Sequence, residues 1–433
     1  MSLEQLKSAS FDPWWWDWAP RQDREAGELP PQAEVVVVGS GYTGLMGALT
    51  LARGGREVLC LEAEQIGFGA SSRNGGQVGS GNQRFTVKRL TELYGPEQAR
   101  ALIREGTEAL DFVKSFIERE GIECHFRVNG RFRGASRPEH YENMARDMED
   151  LRSLAGVDAY MVPRDEQRGE IGSGRYHGGS VLPGDASVHP ALYHDGLVAR
   201  AEAAGVDIRS GVRVTGISQT AAGATVHTER GDVICGQVLV ATNGYTTKDA
   251  SKELYRRFVP VAAAMIATGE LSPNLVTDLM PKARVYGDTL RVHHYYQPSP
   301  DNKRLLFGGR LAGPAGTTNP DHFRPLHRDM LDVFPNLDDV PITNCWSGYV
   351  AITQDGLPHI GRSGSVYHAM GYNGSGIARA SHGGHQVALQ MLGETEELSA
   401  WNELAFEPLP FRSFARLGVS IAINWKRWQD TRS

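Results

Sequence analysis

The sequence predicts an α/β protein in which a Rossmann-like domain is interleaved with an α+β domain built on a large antiparallel sheet. Three observations carry this reading. A valine run meets a glycine-rich turn near the N-terminus, two later segments return to the same kind of strand-and-loop pattern, and helical and strand stretches that a Rossmann fold does not contain lie between them. At 433 residues the chain exceeds one ordinary core.

Val35 to Val38 is short and β-branched enough to form a strand buried on both faces. Gly39-Ser-Gly41-Tyr42-Thr43-Gly44 then turns the chain tightly and opens a helix whose free N–H groups suit a pyrophosphate. Leu45, Leu49 and Ala52 give that helix its apolar face, and Gly54-Gly55 stops it. The next strand, Glu57 to Leu61, ends at Glu62, a carboxylate placed to bridge ribose hydroxyls, with Ala63 beside it. That acid disfavours a 2′-phosphate and hence NADP. Strand, turn, helix, strand and acid in register point to a bound dinucleotide. Directly afterwards, Gly67 to Gln77 remains an open loop of small and polar residues: Gly69, Ala70, Ser71, Ser72, Arg73, Asn74, Gly75, Gly76 and Gln77. Such a set suits an extended ligand ending in a polar planar ring.

On these residues the chain resembles the FAD-dependent amine and amino-acid oxidoreductases that include D-amino-acid, glycine and sarcosine oxidases, and within them the γ-glutamylputrescine oxidase branch. Three further segments carry the resemblance: Val212 to Ile217, where Val214 would meet adenine; Gln237 to Tyr245, with Ala241 and Thr242 at the end of a second cofactor strand; and Met370 to Ile377, where Gly371, Asn373, Gly374, Ser375, Gly376 and Ile377 would cradle the flavin end. The resemblance implies FAD, held noncovalently because the 67–77 loop has no histidine or cysteine.

The remaining elements divide the chain. An aromatic lead-in occupies residues 1–32, with Trp14 to Trp16 and Trp18 expected to pack on the protein itself. FAD-domain segments are expected at 33–81, 187–247 and 345–393. Substrate-domain segments are expected at 82–186 and 248–344. Helices are expected from Pro96 to Gly121 and from Pro138 to Gly156, and another after His189-Pro190. Leu254 to Thr268 and Val285 to Gly309 read as sheet strands. The 394–433 tail sets Phe411, Phe414, Leu417, Ile421, Trp425 and Trp428 at helical spacing among Arg412, Arg416, Lys426 and Arg427. Such a helix docks on its own protein or lies on a membrane surface.

Arg291 to Gln297 reads as a strand before a turn, with His293 and Tyr295 on one face and His294 and Tyr296 on the other. The resemblance puts a pocket tyrosine here, matched best by Tyr295. Tyr295, His293 and Gln77 are therefore the catalytic candidates. Where amino-acid oxidases carry an Arg that clamps the substrate carboxylate, this chain has Val350. The change favours a small-molecule amine, or a γ-glutamylated amine, over a free α-amino acid. The implied chemistry is hydride transfer to flavin N5, imine hydrolysis and reoxidation by O2. A dehydrogenase passing electrons to quinone or a protein carrier is the alternative, and a non-catalytic flavin-bound module a more distant one. Some family members place a Lys beside the flavin on the strand after the turn. Here Lys303 sits in the turn, and Leu305, Leu306 and Phe307 occupy the strand.

Other classes find no support. A net charge of −6 with interspersed signs gives no basic stripe for nucleic acid. No apolar run reaches the roughly 18 residues of a membrane span. An acidic, aromatic N-terminus unlike a signal peptide favours the cytoplasm. Cys60, Cys124, Cys235 and Cys345 are scattered, which suggests neither a metal site nor disulfides. Asp355, in Asp-Gly-Leu-Pro, reads as a turn residue.

Overall fold

The computed structural model describes residues 4–21, 27–82, 84–394, 399–402 and 404–410. The amphipathic pattern expected between 411 and 428 lies outside them. A short helix α1 (Glu4–Lys7) and a 3-10 turn at Trp14–Asp17 lead into β1 (Gln32–Val38). Then come α2 (Tyr42–Arg53), β2 (Val58–Leu61), α3 (Ala70–Arg73), β3 (Gln77–Val78) and α4 (Val87–Glu120). β4 (Arg131–Gly134), α5 (Pro138–Ala155), β5 (Tyr160–Val162), β6 (Gly179–Leu182) and β7 (Ala186–Ser187) follow. The chain continues through α6 (Pro190–Ala203), β8 (Asp207–Arg209), β9 (Val214–Thr220), β10 (Gly223–Thr228) and β11 (Gly231–Val240). Next are α7 (Lys252–Tyr255), β12 (Phe258–Thr268), α8 (Pro273–Leu279), β13 (Val285–Asp288), β14 (Tyr295–Pro298) and β15 (Leu305–Arg310). It closes with α9 (Arg324–Val333), β16 (Ile342–Thr353), β17 (His359–Ser363), β18 (Val366–Met370) and α10 (Gly376–Leu392).

The first sheet has the order β17-β18-β11-β1-β2-β8, with β10 and β9 continuing from β11 as an antiparallel meander. β1 pairs in parallel with both β2 and β11. The valine run explains its central place. Val35 and Val37 face the α2 side, packing with Leu45 and Leu49, while Val36 and Val38 pack with Val226 and Val233 of the meander. A strand buried on both faces cannot alternate with polar residues.

The second sheet has the order β16-β12-β15-β14-β13-β4-β6-β5. Its pairs are antiparallel except β13 with β4, so the sheet is mixed at one seam. One face buries Phe132, Tyr286, Tyr296 and Phe307 beneath Leu326 and Met330 of α9. The other face carries Met265, Leu306 and Trp346 against Trp14 and Trp15. The aromatic lead-in therefore packs on the protein.

Several expected boundaries move. α4 begins at Val87, capped by Thr86 Oγ1 accepting from Arg89 N at 3.0 Å, and breaks at Gly95 before the expected Pro96 start. Its Leu102, Ile103, Ala109 and Val113, like Met148 and Leu151 of α5, share a core with Val35 and Leu45. The 82–186 segment is thus not packed on the substrate sheet alone: its amphipathic helices found their apolar partner on the Rossmann side. β16 runs in the second sheet to Thr353, past the expected change of domain at 345. Leu254 belongs to α7 rather than to a strand. Residues 291–294 form a turn and extended link, and the strand begins only at Tyr295.

All four cysteines are free and buried. Among the described residues, no helix is long and apolar enough to cross a membrane, and no cluster of metal-ligating side chains occurs.

Gly44 fixes how closely α2 approaches β1, since a Cβ there would lie 1.8 Å from Gly39 O. Backbone cannot yield as a side chain does, so Gly44→Ala should destabilise the protein by about 1–3 kcal/mol. Thermal unfolding of the purified variant checks this, and an unchanged midpoint would contradict the close approach.

Candidate functional site

A continuous cavity of about 850 Å³ runs from the β1–α2 turn to the inner face of the second sheet. At its first end the wall is formed by Gly39, Gly41, Tyr42, Thr43, Glu62, Ala63, Val214, Ala241 and Thr242. The Glu62 carboxylate is held rigidly: Oε2 accepts from Ser40 N at 3.0 Å and Ser40 Oγ at 2.8 Å, and Oε1 accepts from Glu64 N at 3.1 Å. A carboxylate has about four lone-pair directions, so acceptor capacity remains for a ligand hydroxyl.

Midway, Gly69, Ala70, Ser71, Arg73, Asn74 and Gly75 line the wall. Ser71 Oγ accepts from Tyr42 N at 2.9 Å, which ties this loop to the first turn of α2. Three indoles grip the loop from behind. Trp15 Nε1 donates to Asn74 O at 2.8 Å, Trp346 Nε1 to Arg73 O at 2.8 Å, and Trp16 Nε1 to Ser72 Oγ at 2.9 Å. The Arg73 guanidinium lies between the Trp16 and Phe68 rings, 4.9 and 4.6 Å from their centroids.

Four expected cofactor contacts stand off the cavity wall. Ser72 is fully buried, donating to Gly67 O and accepting from Trp16. Gly44 lies beneath the turn, where it sets the helix–strand approach. Gly76 abuts Val188 O and Trp15, and Gly371 donates its N–H to Asn243 Oδ1 at 3.0 Å. In each case the expected residue supports its neighbour instead of facing the cavity.

At the far end, Asn373, Gly374, Ser375, Gly376 and Ile377 line one side and the second sheet the other. Tyr295 faces the cavity and Tyr296 the core beyond, stacked on Tyr286 and Phe307 at centroid distances of 5.5 and 5.1 Å. Burial raises the Tyr295 phenol to about 12, against an opposing pull from Arg310. His293 lines the cavity with an accessible side chain, and the protein packed around it lowers its pKa to about 4 by desolvation, despite Asp288 nearby. Both are neutral at pH 7. Gln77 lines the same end, but its amide is engaged, donating to Tyr286 O and Tyr296 O at 3.1 and 3.0 Å and accepting from Arg131 at 2.6 Å. It ties β3 to the sheet.

Arg291 and Arg310, the two arginines that the sequence offers as replacements for the clamp absent at Val350, both line this wall, and Met265, Trp346, Arg84 and Arg133 join them without having been expected. Strand register could have found Met265, Trp346 and Arg133, whereas Arg84 reaches the cavity from a loop with no motif. Asp355 is a turn residue, accepting from Leu357 N at 3.1 Å and pairing with His359.

The far-end loop between β13 and β14 is held by a buried ion triad. His294 Nδ1 is 2.8 Å from Asp288 Oδ2, and Nε2 is 3.1 Å from Asp329 Oδ2. Burial alone would lower the imidazole pKa, but the two carboxylates outweigh it and raise it to about 9. Asp288 is lowered for the reciprocal reason, its bond to His294 outweighing desolvation.

The wall fits FAD. It is long, bare of side chains where backbone would face the ligand, and donor-rich at a helix N-terminus. A Cβ on Gly376 would meet only Tyr372 Cβ, at 4.0 Å, and would otherwise fill the cavity.

The comparisons agree with this geometry. The family described as FAD dependent oxidoreductase matches residues 34–389. The chain is 32% identical over 379 residues to gamma-glutamylputrescine oxidoreductase of Escherichia coli (strain K12), covering 87% of this chain and 88% of that protein. Its fold is similar to glycine oxidase from Geobacillus kaustophilus, with a TM-score of 0.73 at 20% identity, covering 88% of this chain and 99% of the other. L-proline dehydrogenase from P. horikoshii gives 0.71 at 22%, covering 85% and 96%.

Two outcomes follow. Gly376→Val should fold with a normal thermal midpoint yet purify with little flavin absorbance; full FAD content in that variant would mean the late loop does not approach the cofactor. The raised His294 pKa should stabilise the fold fully below about pH 6.5, the ordinary histidine value, and lose that contribution as pH rises through about 9. Thermal midpoints of wild type and His294→Gln should therefore differ most at low pH and converge above pH 9, and a pH-independent difference would refute the triad's role.

Proposed function

The chain belongs to the FAD-dependent oxidoreductase family and acts on amines or amino acids; from that premise we propose that its substrate is an amine, γ-glutamylated amines included, whose reacting carbon bears no carboxylate. Val350 is the observation that carries the reading. It lies on the cavity wall, paired with Val261 and near Ile352, so the wall there is apolar. A carboxylate brought against it would lose its water without gaining a partner.

FAD, when bound, supplies the acceptor for a hydride from the substrate carbon, and water then hydrolyses the resulting imine. The protein's part is placement. Tyr295 offers a neutral hydroxyl, and neutral His293 can hydrogen-bond an amine without repelling it. The positive end of α10, opening at Gly376, favours negative charge on whatever its first turn faces. We take O2 as the electron acceptor, giving H2O2.

Steady-state kinetics with peroxide detection tests this. Amines should exceed the matching α-amino acids in kcat/KM by roughly one and a half to three and a half decades, the equivalent of about 2–5 kcal/mol for a lost charge pair. A higher kcat/KM for sarcosine, glycine or a D-amino acid than for every amine would overturn the reading. Turnover with an artificial acceptor but no peroxide would replace O2 with a carrier.

A further inference from the structure

Register across the second sheet defines what faces the cavity. Directly paired residues share a face, and so do residues two apart on one strand. Trp346, Met265, Gly308, Tyr295, Gly287 and Arg133 form one cross-strand row over β16, β12, β15, β14, β13 and β4. The next row on the same face is Gly348, Ala263 and Arg310, and the one beyond it begins with Val350 and Val261. Arg310 thus stands on the face of Val350, two strands across and one row along.

Between them stand Gly348, over which the Arg73 stem and the Tyr245 hydroxyl lie, and Ala263, whose methyl is the smallest side chain next to the guanidinium. Arg310 lines the cavity beside Tyr295 and acts electrostatically on its phenol. Arg133 lies three strands away and donates to Asp288 O at 3.2 Å, while Arg291 belongs to the turn outside the sheet.

We infer that Arg310 is the substrate's carboxylate anchor, and that the preferred amines carry a carboxylate several bonds away from the reacting carbon. This rests on the amine reading above and narrows it. A guanidinium is the group that takes a carboxylate bidentately, and a partly enclosed floor strengthens the pair. Two interstrand spacings amount to about 10 Å. An anchor moved that far from the Val350 position holds a charge displaced from the carbon that an α-carboxylate would occupy.

Two amines of matched length provide the test: N-glutarylputrescine, with a terminal carboxylate, and its terminal primary amide, N-(4-carbamoylbutanoyl)putrescine, without the charge. Wild type should favour the first in kcat/KM by about 30-fold or more. Arg310→Met, which keeps the stem and removes the charge, should reduce that ratio to within about threefold, with FAD content and thermal midpoint as in wild type. Arg310→Lys should retain part of the preference. A preference that survives in Arg310→Met overturns the inference. Calorimetric binding of glutarate to the FAD-loaded protein decides it independently of turnover. Binding at least tenfold weaker in Arg310→Met supports the anchor, whereas equal affinity or no binding to wild type overturns it. If neither amine is oxidised by wild type, the amine reading falls, and glutarate binding still judges Arg310.

Discussion

The grip of three tryptophans on the 70–75 loop is the constraint on which the rest of the site depends. This loop is where the Rossmann layer meets the second sheet. Its carbonyls at Arg73 and Asn74 would be costly to bury unpaired, about 1–3 kcal/mol each, and Trp346 and Trp15 satisfy them from the sheet side and the N-terminal lead-in. Ser71, on the opposite side of the same turn, accepts from the first residue of α2. One short helix therefore sets the distance between the dinucleotide end of the cavity and the sheet face that lines its other end.

The electrostatics divide along the cavity. At the dinucleotide end, polarity is fixed by backbone donors and one immobilised carboxylate, Glu62. At the other end the nearby titratable side chains are pushed toward neutrality, as with His293 and Tyr295, or locked into an internal ion triad, as with His294. Arginines remain as the positive wall.

The sequence made the Rossmann half readable because each piece there has a local signature: four valines that must be buried on both faces, a turn that only glycine permits, and an acid at the next strand end. The sheet half was less legible. Period two shows that Tyr295 and Tyr296 oppose each other but not which faces the cavity; packing of Tyr296 between Tyr286 and Phe307 decides it. The long helix α4 has an ordinary amphipathic stripe, and nothing local says that its partner is the Rossmann core. Ser71 and Ser72 are adjacent small hydroxyls, and the one-turn helix sends one to the cavity and the other to Trp16. Arg310 ends an apolar strand without a motif, so only pairing with Ala263 reveals its face.

If one cavity joins the FAD site to an amine pocket on the sheet, electrons leave the amine for the flavin inside this chain. Anaerobic mixing of the purified flavoprotein with an excess of amine tests it most directly, with visible absorbance followed in a stopped-flow instrument. The oxidised flavin band should bleach fully, at one FAD per chain, with matching aldehyde and ammonia released from a primary amine. Flavin that stays oxidised with every primary and secondary amine tried, while dithionite still reduces it, would rule out electron transfer from an amine inside this chain.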